Sequence, residues 1–326
     1  MSIFVSIPCF GGDTELIPTI KSCINNANNP DKIFLGIAII GEKDYYKKVI
    51  EEFKDNTHVK ISFHNYKNHI GTGIGKKLPI SFYNKEEYIL QIDSHSRFIN
   101  AWDEYLIQKH EYAVKKLKNN KLLLTGTPAH YTYKKNDQGE YEEILFRQVL
   151  GYNIWFDKST WVCDGRFPLF GHAYPSEVSK KLKDRLLKEE ILPAAKVCGA
   201  FIFGNNLFAE NRHLDENTLF YEEEIWQTSE LLHNGFTLVY PGELAVISHL
   251  HTQDIVDGIG ERKNLLDIQK KYGRDIVKEN TERIRNLLTN EQSKEKLKKF
   301  QEYANFYFDD TYYNYCAFPS DYANIQ

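Results

Sequence analysis

The chain has 326 residues, 42% hydrophobic and 26% charged, and 41 Lys+Arg against 45 Asp+Glu give a net charge of −4. That composition is ordinary for a folded globular protein and excludes collagen-like and disordered chains. It also supplies no global basic field for nucleic acid or anionic lipid. The longest apolar run, Ile33–Ile40, falls well short of the ~20 residues of a membrane helix, so no membrane span is expected. The opening residues Met1–Pro8 carry no basic region, long apolar stretch or cleavage site, so no leader is expected. Cys9, Cys23, Cys163, Cys198 and Cys316 are odd in number, widely spaced and without C-x-x-C. They read as reduced, mostly buried thiols, and the expectation is a soluble cytoplasmic protein.

In chain order, the first hundred residues alternate between strand and helix. Ile3–Pro8 is a short β-branched run followed by a Gly-Gly-Asp turn at Gly11–Asp13. Leu16–Ala27 places Leu16, Ile17, Ile20 and Ile24 at helical spacing, and the Asn-rich stretch with Pro30 stops it. Lys32–Ile40 is a second strand, Tyr45–Phe53 a helix, Val59–Asn65 a third strand and Glu87–Ile92 a fourth. Repeats of this length imply parallel strands with right-handed crossovers, that is, an α/β fold. Ligands in such sheets sit beyond the carboxyl ends of the strands, here just after Ile7, Ile39, Phe63 and Ile92.

Beyond Trp102 the pattern changes. Asp103–Asn119 is an amphipathic helix and Leu122–Thr125 a strand, while Tyr131–Tyr133 and Tyr141–Ile144 flank a polar loop as a hairpin. Gly151–Lys196 is rich in aromatics and Pro with weak periodicity, as substrate-facing loops often are. Val197–Phe203 and Phe236–Val239 are strands around a helix at Glu222–His233 that Gly235 stops, and Leu244–His251 is a further strand. Residues 260–302 are helical and charged, and the aromatic tail 303–326 is expected to pack on the body.

The sharpest local feature is Gln91-Ile-Asp-Ser-His-Ser-Arg-Phe98. Residues i and i+2 of an extended chain point to one side, so Asp93 and His95 converge at the end of an apolar strand. One hard oxygen and one borderline nitrogen suit Mn²⁺, Mg²⁺ or Zn²⁺; a hydrogen-bonded Asp–His pair closing a loop is the alternative. His249 and His251 repeat the i, i+2 spacing at a strand end, so one of them could complete a three-ligand site; a satisfied core or surface histidine is the alternative for each. Glu222-Glu223-Glu224 opens a helix. Successive helical residues lie ~100° apart, so at most two of the three can face one pocket, and acids in a first turn also answer the helix dipole. Gly71-Thr-Gly-Ile-Gly-Lys-Lys77 fails as a P-loop and as a dinucleotide fingerprint. It reads as a flexible turn opening a helix, with Lys76 or Lys77 in reach of a diphosphate, or as a solvated loop. No G-x-S-x-G occurs, and the cysteines lie in no activating motif.

Three stretches together carry a resemblance: Phe4–Phe10 (FVSIPCF), Tyr88–Ile107 (YILQIDSHSRFINAWDEYLI) and Leu219–His251. They resemble the GlcNAc-transferase family, which moves N-acetylglucosamine from a UDP donor to hydroxyl groups, including hydroxyproline of a cytoplasmic ubiquitin-ligase adaptor. That family is distantly similar to the polypeptide GalNAc-transferases. The resemblance spans roughly residues 3–290. It implies a GT-A fold over residues 1–255, with 1–100 as nucleotide-binding half and 101–255 as acceptor and sugar half, and 256–326 as a helical, aromatic extension.

The resemblance also implies Mn²⁺ (or Mg²⁺) on Asp93, His95 and His249, with His251 in reserve, and a UDP-sugar donor transferred with retention. Ile7, Pro8 and Cys9 would line the uracil and ribose pocket, and Ser94 would stand with Asp93 at the donor. Lys76 falls where the family has Arg, and a lysine is a point charge rather than a bidentate fork. Glu223 and Glu224 match an acidic motif facing the donor sugar or acceptor, though its glycine is lost. Gly199 and Ala200 would offer backbone to the sugar. The partners implied are the nucleotide-sugar and a hydroxyl acceptor on protein or glycan. Two other readings remain: a metal-dependent hydrolase using Asp93, His95 and His249, and a UDP-sugar-binding protein without catalysis.

Overall fold

The computed structural model describes residues 1–11, 13–41, 43–66, 71–147, 152–156, 169–173, 191–194, 196–212, 214–219, 222–242 and 246–250, with Glu279 and Glu282 in helix. Four strands, β1 (Ile3–Phe10), β2 (Ile33–Ile40), β3 (Val59–His64) and β4 (Tyr88–Ile92), pair in parallel in the order β4-β1-β2-β3. β1 and β2 are covered on both faces, which is why they read as near-continuous apolar runs rather than alternating ones. Helix α1 (Leu16–Asn25) buries Leu16, Thr19, Ile20 and Cys23, the i, i+3, i+4, i+7 stripe of a helix laid on a sheet. Helix α2 (Lys43–Phe53) fully buries only Val49 and stays mostly wet.

The same sheet continues past β4 in mixed directions. β12 (Phe201–Asn205) runs antiparallel to β4, with Phe201 opposite Ile92, and is followed by β6 (Leu122–Thr125), β13 (Thr237–Tyr240) and β11 (Leu192–Pro193). A second sheet stands across the end of β4, in the order β5 (Ser96–Phe98), β14 (Ile247–Leu250), β7 (Ala129–Lys135) and β8 (Tyr141–Arg147). β9 (Tyr152–Phe156) and β10 (Leu169–Ala173) form an antiparallel pair. Further helices among the described residues are α4 (Trp102–Leu117), a short α5 (Asn206–Glu210) and α6 (Glu222–His233). The hairpin expected around residues 131–144 is β7–β8, and α6 has the expected bounds. The helical segment 260–302, apart from Glu279 and Glu282, and the aromatic tail lie outside the described residues. Among the described residues no helix is long and apolar enough to cross a membrane.

The glycine-rich stretch opens a helix, as one of its two readings expected: Gly71 caps helix α3 (Thr72–Ile80), and the solvated-loop alternative falls. The N–H groups of Thr72 and Gly73 donate to the carbonyls of Leu219 (3.0 Å) and Thr218 (3.1 Å). A Cβ on Gly73 would stand 1.9 Å from the Asp215 carbonyl oxygen. The glycines therefore let a helix lie against the 215–219 backbone, and protein carbonyls occupy amides that a phosphate would need.

Candidate functional site

The parallel strands deliver the site. β4 ends at Ile92, and Asp93 follows at its carboxyl end, where open α/β sheets bind ligands. Two residues on, His95 precedes β5. β14 pairs with β5 so that His249 lies opposite Ser96, and this register brings a residue 154 positions away beside His95. His95 Nε2 and His249 Nε2 are 2.9 Å apart, and His249 Nε2 is 3.2 Å from Asp93 Oδ2. The two rings meet edge-on, with centroids 4.4 Å apart. One ligand atom from each of Asp93, His95 and His249 falls within 4.8 Å of the others. A carboxylate oxygen and two imidazole nitrogens suit a borderline divalent ion such as Mn²⁺ or Zn²⁺ better than Mg²⁺, which takes oxygen ligands, so these residues fit a divalent ion. His251 lies outside the described residues.

Burial alone would push the Asp93 carboxyl up. The His249 hydrogen bond and the charges of Lys76 and His95 outweigh it and hold Asp93 well below the usual carboxylate range. Asp93 is thus an anion at neutral pH, with a quarter of its side chain open to solvent.

Behind the triad stands Asp13, which the sequence marked only as the end of a turn. Its Oδ2 lies 2.7 Å from His95 Nδ1 and accepts the Ser94 hydroxyl at 2.9 Å, while Oδ1 accepts the Glu15 N–H at 3.0 Å. Burial raises its pKa, but His95, the Glu15 amide and Ser94 together bring it below the ordinary value. The Ser94 hydroxyl is spent on Asp13. The only sequence signal for Asp13 was its place just beyond the end of β1, beside the end of β4.

A second polar cluster lies on the other side of Asp93. Lys76, from the third helix, pairs with Glu223 of α6 at 2.6 Å, both side chains less than a tenth exposed. Lys196 pairs with Glu224, whose Oε1 also accepts the Gly199 N–H at 2.7 Å. The Gly199 carbonyl accepts Gln91 Nε2 at 2.5 Å, and Arg212 donates to Gln91 Oε1. Burial lowers the Arg212 pKa to about 10 against the pull of Glu223. Lys196, Gln91 and Arg212 were not singled out from sequence: their partners are far away in the chain and no local pattern announces them. Glu223 and Glu224 both face inward, and Ala200 follows Gly199 in the same turn.

Other parts of the motifs carry the scaffold. Ile7 and Cys9 are fully buried in the core, and Pro8 is buried between them in β1. Burial pushes the Cys9 thiol far up, with the Asp13 charge adding to it. Arg97 joins Glu15 and Glu143 and lies over the Tyr131 ring. Trp102 Nε1 donates to the Cys23 carbonyl, and Asp103 accepts the amides of Asn28 and Asn29. The tryptophan and aspartate that follow the D-S-H block therefore fasten α4 to the last turns of α1 and to the segment after it.

A mostly parallel α/β sheet flanked by helices, with an acidic residue at the end of β4, is the fold of GT-A glycosyltransferases. The chain belongs to the Glycosyltransferase (GlcNAc) family, whose model matches residues 39–313. Its fold is similar to a crystal structure of GalNAc-T7 with UDP, GalNAc and Mn²⁺, with a TM-score of 0.55 and 16% identity over 93% of this chain. The match takes in 54% of that chain, so this protein spans about half its length. A structure of residues 1–349 of S. aureus TarS in complex with UDP-GlcNAc matches with a TM-score of 0.46, 12% identity, 95% of this chain and 74% of that one. No curated protein sequence gives a significant match.

Proposed function

We propose that this glycosyltransferase is a metal-dependent, retaining enzyme that moves a sugar, GlcNAc first among candidates, from a UDP donor to a hydroxyl of a protein or glycan. The observation that carries the reading is the convergence of Asp93, His95 and His249 within 4.8 Å. The family description and the UDP, GalNAc and Mn²⁺ of the similar GalNAc-T7 structure support the choice of donor and ion. The ion, Mn²⁺ or Mg²⁺, would supply Lewis-acid neutralisation of a leaving diphosphate.

The chain's own residues do the rest. Asp93, His95 and His249 present the ligand atoms. Lys76, buried and held positive by Glu223 and Asp93 against the cost of burial, adds a fixed cation beside Asp93. Glu223 and Glu224 orient sugar hydroxyls or face positive charge developing at the anomeric carbon. At the turn of Gly199 and Ala200 the Gly199 backbone is held by Glu224 and Gln91, which leaves Ala200 to face the sugar; Ser94 stands beside Asp93, and the buried Ile7, Pro8 and Cys9 would support the uracil and ribose from within β1. Cytoplasmic placement belongs to the same reading and rests on the buried free thiols Cys9, Cys23 and Cys198.

The test is thermal and chemical unfolding with Mn²⁺, UDP and UDP-sugars, followed by sugar transfer to hydroxyl acceptors. A ligand at 100 times its Kd adds about 2.7 kcal/mol. The expected outcome is stabilisation by uridine nucleotides that requires Mn²⁺ and disappears in Asp93→Ala. Indifference to every uridine nucleotide would sink the donor assignment. UDP-sugar turnover to free sugar, with no transfer to any hydroxyl acceptor, would point to a hydrolase.

A further inference from the structure

A histidine can serve a metal through only one ring nitrogen at a time, and the hydrogen bond at the other nitrogen selects which one. At His95 the two nitrogens face different neighbours. Nε2 points to His249 and Asp93, and Nδ1 points to Asp13 Oδ2 at 2.7 Å. A carboxylate oxygen only accepts, so the ring nitrogen facing it must carry the proton. With Nδ1 protonated, the Nε2 lone pair is turned toward Asp93 and His249. The 2.9 Å contact between the two Nε2 atoms fits this state when His249 is the donor in the metal-free protein.

Asp13 can impose that choice because it is itself fixed. The Tyr45 hydroxyl donates to its carbonyl, the Glu15 amide to Oδ1 and the Ser94 hydroxyl to Oδ2. Its side chain is almost wholly buried. The loop around it is held in turn, since Glu15 accepts Arg97, Tyr131 and Tyr133. We propose that Asp13 is the positioning residue of this site, locking His95 in the Nδ1–H tautomer and reserving Nε2 for the cation. The inference rests on the metal reading above and adds to it a residue outside the triad.

An amide cannot replace this carboxylate. Both oxygens of Asp13 already accept hydrogen bonds, so an asparagine NH₂ must face either the Glu15 N–H or the His95 edge. In the second orientation Nδ1 becomes the acceptor, the proton moves to Nε2, and the nitrogen meant for the ion is blocked.

Two measurements test this. In metal-free wild type at pH 8, ¹⁵N NMR of the imidazoles, assigned with a His95→Gln variant, is expected to show His95 protonated at Nδ1 and bare at Nε2. A proton on Nε2 overturns the proposal. Mn²⁺ titration followed by electron paramagnetic resonance, without nucleotide, is expected to show ~10–100-fold weaker binding by Asp13→Asn. Equal binding by wild type and Asp13→Asn overturns the role of Asp13 alone. No Mn²⁺ binding by wild type removes the metal reading and this one with it. The tautomer signal comes from wild-type protein, so it stands even where the variant folds poorly.

Discussion

Two buried polar clusters flank the end of β4, and they differ in what they leave over. In the triad of Asp93, His95 and His249, two acceptors, His95 Nε2 and Asp93 Oδ2, are gathered around the single Nε2 position of His249. In the cluster of Lys76, Glu223, Lys196 and Glu224, each carboxylate has its ammonium. One donor between two acceptors leaves lone pairs over, whereas matched charges satisfy one another as the chain folds. The first cluster is the one proposed to take a ligand. The second is structure as well as surface for one, and the two should answer mutation differently.

The largest expected effect follows from breaking the matched pair. Lys76→Met keeps the volume but leaves Glu223 buried without its cation, which typically costs 3–5 kcal/mol, so a loss of about 4 kcal/mol in urea unfolding is expected. Lys76→Met with Glu223→Leu should recover most of it, because no charge is then stranded. In the triad, Asp93→Asn keeps an acceptor for His249 and should shift stability by about 1 kcal/mol or less. If Lys76→Met is equally mild, Glu223 is not held by its partner and the contrast between the clusters fails.

A smaller effect probes the same cluster through backbone. A Cβ on Gly199 would lie 2.1 Å from Lys76 Nζ and 3.2 Å from Glu223 Oε1. The ammonium ends a flexible chain and can swing away, so Gly199→Ala is expected to cost ~1–3 kcal/mol rather than prevent folding. Denaturant unfolding of Gly199→Ala in the Lys76→Met background sharpens the point. With the ammonium gone, the added methyl should cost less than it does in wild type.

What the sequence revealed about these regions follows the range of the interactions. Asp93 and His95 were legible because a two-residue spacing at a strand end is a local fact. The first four strands and the Glu222–His233 helix were legible for the same reason, since each carries its own period and stop signal. His249 joins only through the pairing of β14 with β5, which nothing within either strand specifies. Asp13 and His95 are 82 positions apart, and Lys76 and Glu223 are 147 apart, so neither pair leaves a local trace. The strand expected at Val197–Phe203 begins only at Phe201. There the N–H groups of Val197, Cys198 and Gly199 are taken by Thr228, Thr125 and Glu224 side chains instead of a ladder. Apolar residues at 197–203 suggested a strand, and distant side chains made its first half a turn beside Asp93.

The smallest effect is a slope, and its sign follows from the pairing. Burial by itself would raise the Glu224 carboxyl, but the Lys196 ammonium and the Gly199 amide bring it below its ordinary 4.5. The unfolded chain therefore takes up this proton at a higher pH than the folded one. The stabilisation from Glu224 is complete above about pH 4.5 and is lost as pH falls through the lower folded value. Lys76 runs the other way: its folded pKa lies above the ordinary 10.5, so its contribution is complete below that value and is lost as pH rises through the folded one. Urea unfolding at pH 5 and pH 3 should show a shallower decline in Glu224→Gln than in wild type, because the variant has no proton to take up at that site. An equal decline would mean that Lys196 does not hold Glu224 in solution. Glu224 would then be an unmatched carboxylate beside Asp93, and the second cluster would be as receptive to a cation as the first.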